Sequence, residues 1–318
     1  MTQVTLVDLQ ASLCDTAAFN TLEDYFRLCK AFLELLTRTQ PTRIISPTHS
    51  NYAFFQYGES YGYKITRPLN TSLFIEHVDN FQVAFERFVA FLADLKRYQG
   101  SVVQHERVNR YLETSEVNKV VYTLQQSIGC IGDSFENANQ SRKRVGQLFE
   151  ILIRLIIQEV GLECEPRTIR IPIPDYPSYE LSYGLDLVLS LNKALRAAET
   201  PFLHETEIVV SVKTTSKDRL DRIFLDKYLL TKLLGRDVPV IAIFLHDVQR
   251  AKVGNSIFSV SSTFKSNHFL GYTVAIVPLD GVYYVDPRSE MRMDEKLREQ
   301  IRDFQTFLVR DLWSLTSV

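Results

Sequence analysis

What the chain has little of narrows its class first. It holds only 4 cysteines in 318 residues, Cys14, Cys29, Cys130 and Cys164, none of them in a CxxC pair. That spacing supplies neither a disulfide framework nor a thiolate metal site, and it suits a reducing compartment. Net charge is nearly absent as well, at -2. No global attraction to nucleic acid or acidic membranes follows, so DNA binding would have to rest on local basic clusters. No stretch approaches the roughly 20 uninterrupted apolar residues of a membrane span, and "MTQVTLVDLQASLCDT" puts no basic segment ahead of an apolar run. A soluble, cytoplasmic protein without membrane contact is the expectation. There is no P-loop, no Rossmann glycine pattern, and no HExxH or HNH arrangement around His204 or His246. ATP-driven translocation and nucleotide cofactors are thereby excluded, and both histidines read as structural. Internal repeats and low-complexity tracts are missing too.

What is present is a globular composition, 45% hydrophobic and 23% charged, long enough for one large domain or two ordinary ones. Apolar residues recur at helical spacing over about Leu22 to Leu36, Asn80 to Tyr98 and Glu116 to Ile128. Between the first two lies an aromatic-, Gly- and Pro-containing stretch that reads as short strands and turns. Beyond it the pattern changes. "SRKRVGQLFEILIRLIIQEVG" is a long helix stopped by Gly161, "TIRIPIP" an edge-type strand broken by prolines, and "GLDLVLSL" and "TEIVVSVK" buried strands. "DRLDRIFLDKYLLTKLLG" is a helix ending at Gly235, followed by strands in "VPVIAIFL" and "YTVAIVPLDGVYYV". The expected fold is therefore α/β, with helices flanking a mixed central sheet. A mostly helical region 1–135 would precede a sheet-bearing domain 136–318.

Three positions carry chemistry in that second region. Asp186 interrupts the apolar strand "GLDLVLSL", where a carboxylate is costly unless paired or bound to metal. Lys213 ends the next strand. Glu150 lies on the long preceding helix; at about 100° per residue it falls on the boundary between the apolar stripe and the polar face, free to turn either way. A helix carboxylate, a strand aspartate and a strand-end lysine can converge at one end of a sheet. Such carboxylates can hold a divalent ion, and such a lysine can orient an attacking water. Plainer readings stand beside these. Asp226 lies four after Arg222 and Glu150 four before Arg154, the spacing of surface ion pairs. Lys213 also suits a solvated strand end, and Arg142, Lys143 and Arg144 suit the solvated first turn of a helix.

The set "SRKRVGQLFE", "GLDLVL" and "VSVKTTSKDR" resembles the PD-(D/E)xK nuclease core of type II restriction endonucleases, over roughly residues 139–250. More narrowly it is similar to the branch that includes EcoRII and NgoMIV, cutters of CC/GG-containing sites. The sequence departs from the general motif at Ser211, two places before Lys213, where an acid is usual. Members of that branch recruit the acid from the following helix, and Asp226 stands thirteen places past Lys213. Asp226 is shorter than the usual glutamate. The resemblance implies Mg²⁺ held by Asp186 and Asp226, with Glu150 as a further candidate, and Lys213 positioning the nucleophilic water. It implies hydrolysis of double-stranded DNA to 5'-phosphate ends with a 5' overhang. Lys217, Asp218 and Arg219 would read the CC/GG core of a palindrome, while Arg222, Arg142 and Arg144 lie near the DNA. Palindromes are read by two-fold symmetric dimers, so a homodimer is expected, with region 1–135 supplying interface or flanking contacts. A companion methyltransferase is expected in the same cell. Two rivals remain: a structure-directed repair or junction nuclease of the same core, and a DNA-binding module left inactive by Ser211.

Overall fold

The computed structural model describes residues 4–98, 113–191, 203–217 and 219–316. Two Thr-x-x-Asp sequences open it. Thr5 and Thr21 each exchange hydrogen bonds with the aspartate three residues on, capping helices α1 (Leu6–Cys14) and α2 (Leu22–Thr39). A small antiparallel sheet follows, with strands β1 (Thr42–Ile45), β2 (Tyr52–Gln56) and β3 (Leu69–Asn70) in that order. Helices α3 (Val78–Arg97) and α4 (Glu116–Gly132) complete the N-terminal part. Helix α5 (Ala138–Glu159) begins where the Asn137 side chain accepts from the N–H groups of Asn139 and Gln140. It ends before Gly161, whose φ of 91° lies in the region glycine tolerates best.

The chain then builds one six-stranded sheet from β4 (Glu163–Ile173), β5 (Tyr176–Ser190), β6 (Ile208–Thr215), β7 (Val240–His246), β10 (Gly281–Tyr284) and β11 (Ile301–Asp303). Helix α6 (Leu220–Leu234), the β8–β9 hairpin (Val248–Val253, Ser256–Ser262) and α7 (Ser266–Ala275) interrupt the strands. Two short helices, α8 (Ser289–Met293) and α9 (Glu295–Gln300), precede β11, and helical turns over 304–316 follow it. The order across the sheet is β11-β10-β7-β6-β5-β4. Strands β6, β7, β10 and β11 run parallel, while β4, β5 and β6 pair antiparallel, so the sheet is mixed. β4, with Pro166 and Pro172, sits at the edge, where a missing backbone donor is tolerated.

Alternation on β7 shows how the two faces are filled. Ile241, Ile243 and Leu245 join the core shared with α2 to α5, whereas Val240, Ala242 and Phe244 face the core under α6 and α7. The first of these cores is continuous from Leu6 through Leu152 and Val210 to Trp313, so region 1–135 and the sheet bury a common set of side chains. The expected α/β class with a helix-flanked mixed sheet is what the chain adopts. One expected strand is absent: Tyr272–Ala275 close α7 instead. Phe224 of α6 contacts both Phe269 and Tyr272, at 5.7 and 5.8 Å between ring centroids. Only helical spacing brings residues three apart onto one neighbour, and that packing overrides the β-branched composition of the segment. Among the described residues no helix is long and apolar enough to cross a membrane.

A buried ion pair fixes the edge of the sheet. Arg167 of β4 donates to both carboxylate oxygens of Glu207, at 2.7 and 3.0 Å, and the N–H of His204 donates to Glu207 Oε2 at 2.8 Å. Glu207 is 1% exposed. Removing one partner leaves a buried charge without compensation, which costs about 3–5 kcal/mol, whereas replacing both by apolar groups is far less damaging. Arg167→Leu is therefore expected to lower the free energy of urea unfolding by about 3–5 kcal/mol, and Arg167→Leu combined with Glu207→Leu to recover most of that loss. Equal destabilisation by the single and double variants would show that the pair does not act in this way.

Candidate active site

Strand β5 changes face in mid-course. Leu185 belongs to the core under α6, yet Leu187 and Leu189 belong to the opposite core, although strict alternation would put all three on one side. The pairing explains it: Glu165 opposes Val188 and Arg167 opposes Leu185, so Asp186 and Leu187 together face the single residue Pro166. This β-bulge shifts the pleat by one and places Asp186 at the turnover between the two faces. The bulge lies beside the Arg167–Glu207 pair. The regular β5–β6 ladder ends at Leu187–Val210. Past that point the Asp186 carboxylate takes over as acceptor: Oδ2 accepts from the N–H of Val212 at 3.0 Å and from the hydroxyl of Ser211 at 3.1 Å.

Lys213 then reaches the same oxygen. Its Nζ donates to Asp186 Oδ2 at 2.5 Å and to Glu150 Oε1 on α5 at 3.4 Å. Of the two orientations open to Glu150, the chain adopts the one toward the sheet. Arg154, its possible ion-pair partner one turn on, instead donates to Glu165 at 3.1 Å. All three side chains are mostly covered, with 32% of Glu150, 23% of Asp186 and 28% of Lys213 exposed. Burial, and after it the charge of Asp186, push the Glu150 carboxyl up to about 7; Lys213 opposes this only in part.

Asp226 lies on the other side of the same strand end. It lines a cleft of about 220 Å³ together with Tyr183, Asp186, Ser211, Lys213, Arg219 and Arg222. Tyr183 donates its hydroxyl to Asp226 Oδ1, and Arg222 Nε lies 4.0 Å from Oδ2. Burial, reinforced by the Asp226 contact, holds the Tyr183 hydroxyl above its usual range. Glu150, Asp186 and Lys213 thus touch, while Asp226 shares their cleft and is held by Tyr183. Sequence reasoning missed Tyr183. The signal was its place two residues before Leu185, which by alternation shares its face toward α6. Asp186 also borders a second hollow, of about 170 Å³, with Glu150 and Arg154. It therefore opens toward an acid on either side.

Of the cations expected to meet DNA, two stand at this cleft. Arg219 and Arg222 line it and are exposed. Lys217 donates from Nζ to Gln249 on β8 at 2.9 Å. Asp218 lies outside the described residues. Arg142 and Arg144 are bonded to groups of their own helix: Arg142 to the carbonyl of Ala138 and the side chain of Asn139, Arg144 to Gln147. His246 is buried, and its ring is pushed down to about 3, first by burial and then by the charge of Arg67, so it stays neutral.

Among the described residues no group of three or more His, Cys, Asp or Glu side chains is clustered so as to hold a metal ion. A Mg²⁺ site does not require one. This ion keeps several waters and takes one or two protein carboxylates plus substrate oxygens. Asp186 with one flanking acid meets that need. Burial, and after it the charge of Asp186, raise the Glu150 carboxyl, so its ionised form would gain from a cation placed beside it. The donor set therefore fits a hard divalent cation.

No protein-family model matches the sequence, and no curated protein matches it. Solved structures do. The chain superposes on the crystal structure of Type IIP restriction endonuclease Kpn2I with a TM-score of 0.66 at 18% identity, over 98% of this chain and 97% of that one. A complex of restriction endonuclease PspGI with substrate DNA aligns with a TM-score of 0.42 at 11% identity, over 71% of this chain and 93% of that one. At 18% identity the first likeness establishes a common fold across nearly the whole chain.

The raised Glu150 carboxyl has a measurable consequence in metal-free protein. Its proton is held more tightly in the fold than in the unfolded chain. The associated stability is thus complete below the ordinary glutamate value of 4.5 and is lost as pH rises through about 7. With a chelator present, the urea midpoint is expected to fall between about pH 5 and 8 by more in the parent protein than in Glu150→Gln. Identical pH profiles for the two proteins would contradict the assignment.

Proposed function

We propose that the protein is a type II restriction endonuclease that hydrolyses double-stranded DNA with Mg²⁺. The observation that carries this reading is the contact of Glu150, Asp186 and Lys213 at a bulged strand end. The fold shared with Kpn2I, a Type IIP restriction endonuclease, supports it. Asp186 would hold the ion, with Asp226 from α6 or Glu150 from α5 beside it. When bound, Mg²⁺ lowers the pKa of a coordinated water and polarises the scissile phosphate. Lys213 supplies a fixed ammonium that donates to the attacking water and faces the charge building on the phosphate. Ser211 supplies no carboxylate, and its hydroxyl instead holds Asp186 in place. Tyr183 holds Asp226 toward the cleft in the same manner.

Base reading falls to the segment between β6 and α6. Lys217 and Arg219 can donate to guanine O6 and N7, and Asp218 can accept from cytosine N4, a set matched to adjacent C:G pairs in the major groove. A T:A pair mismatches it at about 1–3 kcal/mol per position. The site proposed is a palindrome with CC on one side and GG on the other, such as CCNGG, cut at or just 5' of the CC to leave a 5' overhang. Two copies of the chain related by two-fold symmetry would read the two halves. A methyltransferase of the same specificity would protect the host. Among the rivals, structure-dependent nicking would mark a repair or junction nuclease, and shifted but uncut DNA an inactive binding module.

Three outcomes test the proposal. Unmethylated plasmid with Mg²⁺ is expected to give discrete fragments whose sequenced ends share a CC/GG core, and ends without that core would refute the specificity. Asp186→Ala and Lys213→Ala are each expected to lower the cleavage rate by more than about a hundredfold, the scale of groups acting directly on the reacting atoms. Asp226→Asn should slow cleavage and raise the Mg²⁺ requirement, while Arg222→Ala should leave that requirement unchanged. Normal cleavage by Asp226→Asn at low Mg²⁺ would transfer the second acid to Glu150.

A further inference from the structure

A second basic hollow lies beside the base-reading segment. It encloses about 390 Å³ between residues 65–68, the end of α4 and start of α5, and strand β8. Three arginines face it, Arg67, Arg142 and Arg250, against one carboxylate, Asp133. That carboxylate is committed to Arg67, which donates to it from Nε at 3.1 Å, from Nη2 at 2.9 Å and from its backbone N–H at 2.7 Å. Among the described residues Arg142 bonds only uncharged acceptors of its own helix, and Arg250 is exposed on β8. The hollow therefore carries surplus positive charge. It also meets the first residues of α5, a 22-residue helix whose N-terminal end favours anions.

A separate contact joins this hollow to the proposed DNA track. Gln249, the neighbour of Arg250, accepts from Lys217 Nζ at 2.9 Å and is steadied by Ser261 at 3.4 Å on the paired strand β9. Lys217 opens the segment that leads to Arg219 at the catalytic cleft. A duplex engaged there would run past Gln249 toward the hollow, where an extended polyanion meets arginines without carboxylate partners. We propose that this hollow binds the phosphate backbone flanking the recognition site, with Arg250 as the phosphate-contacting cation. This inference rests on the reading of the protein as a site-specific DNA nuclease. A neutralised phosphate releases condensed counterions, so each such contact adds about 0.9 to the slope of log affinity against log salt.

The test uses the full chain with Ca²⁺ in place of Mg²⁺ and two duplexes centred on the cut site found by end sequencing. One is flanked on each side by about one helical turn, roughly ten base pairs; the other ends at the site. Affinities are measured between about 50 and 200 mM salt. Arg250→Ala removes one contact per copy, two in the symmetric pair, and is expected to reduce the slope by about 1.8 on the flanked duplex and to leave it unchanged on the short one. Arg250→Lys should retain the parental slope. Arg298→Ala, which removes an exposed arginine of α9 that does not line the hollow, should match the parent and so exclude a general charge effect. A parental slope for Arg250→Ala on the flanked duplex, or an equal loss on both duplexes, would overturn the inference and leave the nuclease reading standing. Absence of any cut site, or of binding to either duplex, would overturn both.

Discussion

The oxygen Oδ2 of Asp186 accepts from the hydroxyl of Ser211, the backbone N–H of Val212 and the ammonium of Lys213, three consecutive residues of one strand. Those bonds continue the junction of β5 and β6 after their backbone ladder has stopped, so a side chain does the work of a missing carbonyl. A carboxylate held this way has a fixed position, and the bulge opposite Pro166 aims it between the two faces of the sheet. The role of Ser211 follows from the same contact. An acid at that position would bring a second negative charge against Asp186, whereas the hydroxyl donates to it. The departure from the usual motif is thus compatible with a working site, provided a second acid arrives from a helix.

Two helices offer one. Glu150 approaches from α5 and is linked to Lys213, and Asp226 approaches from α6 and is linked to Tyr183. Burial first, and the charge of Asp186 after it, give Glu150 its tight hold on a proton, and Lys213 opposes them only in part. Carboxylates crowded on one side of a single ammonium form an environment that a divalent cation relieves, because the ion supplies the charge that the protein withholds.

Much of this was legible in sequence, for reasons that differ by element. α5 and α6 announce themselves by apolar spacing and by glycines past their ends, and Asp186 by being a charge within an apolar strand. The bulge was hidden, because "GLDLVLSL" alternates regularly and nothing in it marks where Leu185 and Leu187 part to opposite faces. α7 was hidden behind β-branched residues that the aromatic contacts of Phe224 overrule. The pairs Arg167–Glu207, Tyr183–Asp226 and Lys217–Gln249 join residues far apart in sequence, and such pairs are set by the sheet order rather than by local pattern. The second acid stayed ambiguous for a related reason: helical angle places Glu150 at a boundary, and only packing on the sheet turns it inward.

The core that runs from Leu6 to Trp313 has a consequence for the order of events during synthesis. Ribosomes deliver a chain from its N-terminus, and every residue in contact at the strand end, from Glu150 to Asp226, is made before Phe304, Phe307, Leu308 and Trp313. Those later side chains pack in the same core as α5 and the inner face of β6, alongside Leu152 and Val210. Until they arrive, the helix bearing Glu150 and the strand bearing Lys213 lack part of the apolar surface that fixes them against each other. The candidate site is written in the middle of the chain, but its geometry is completed by side chains made later.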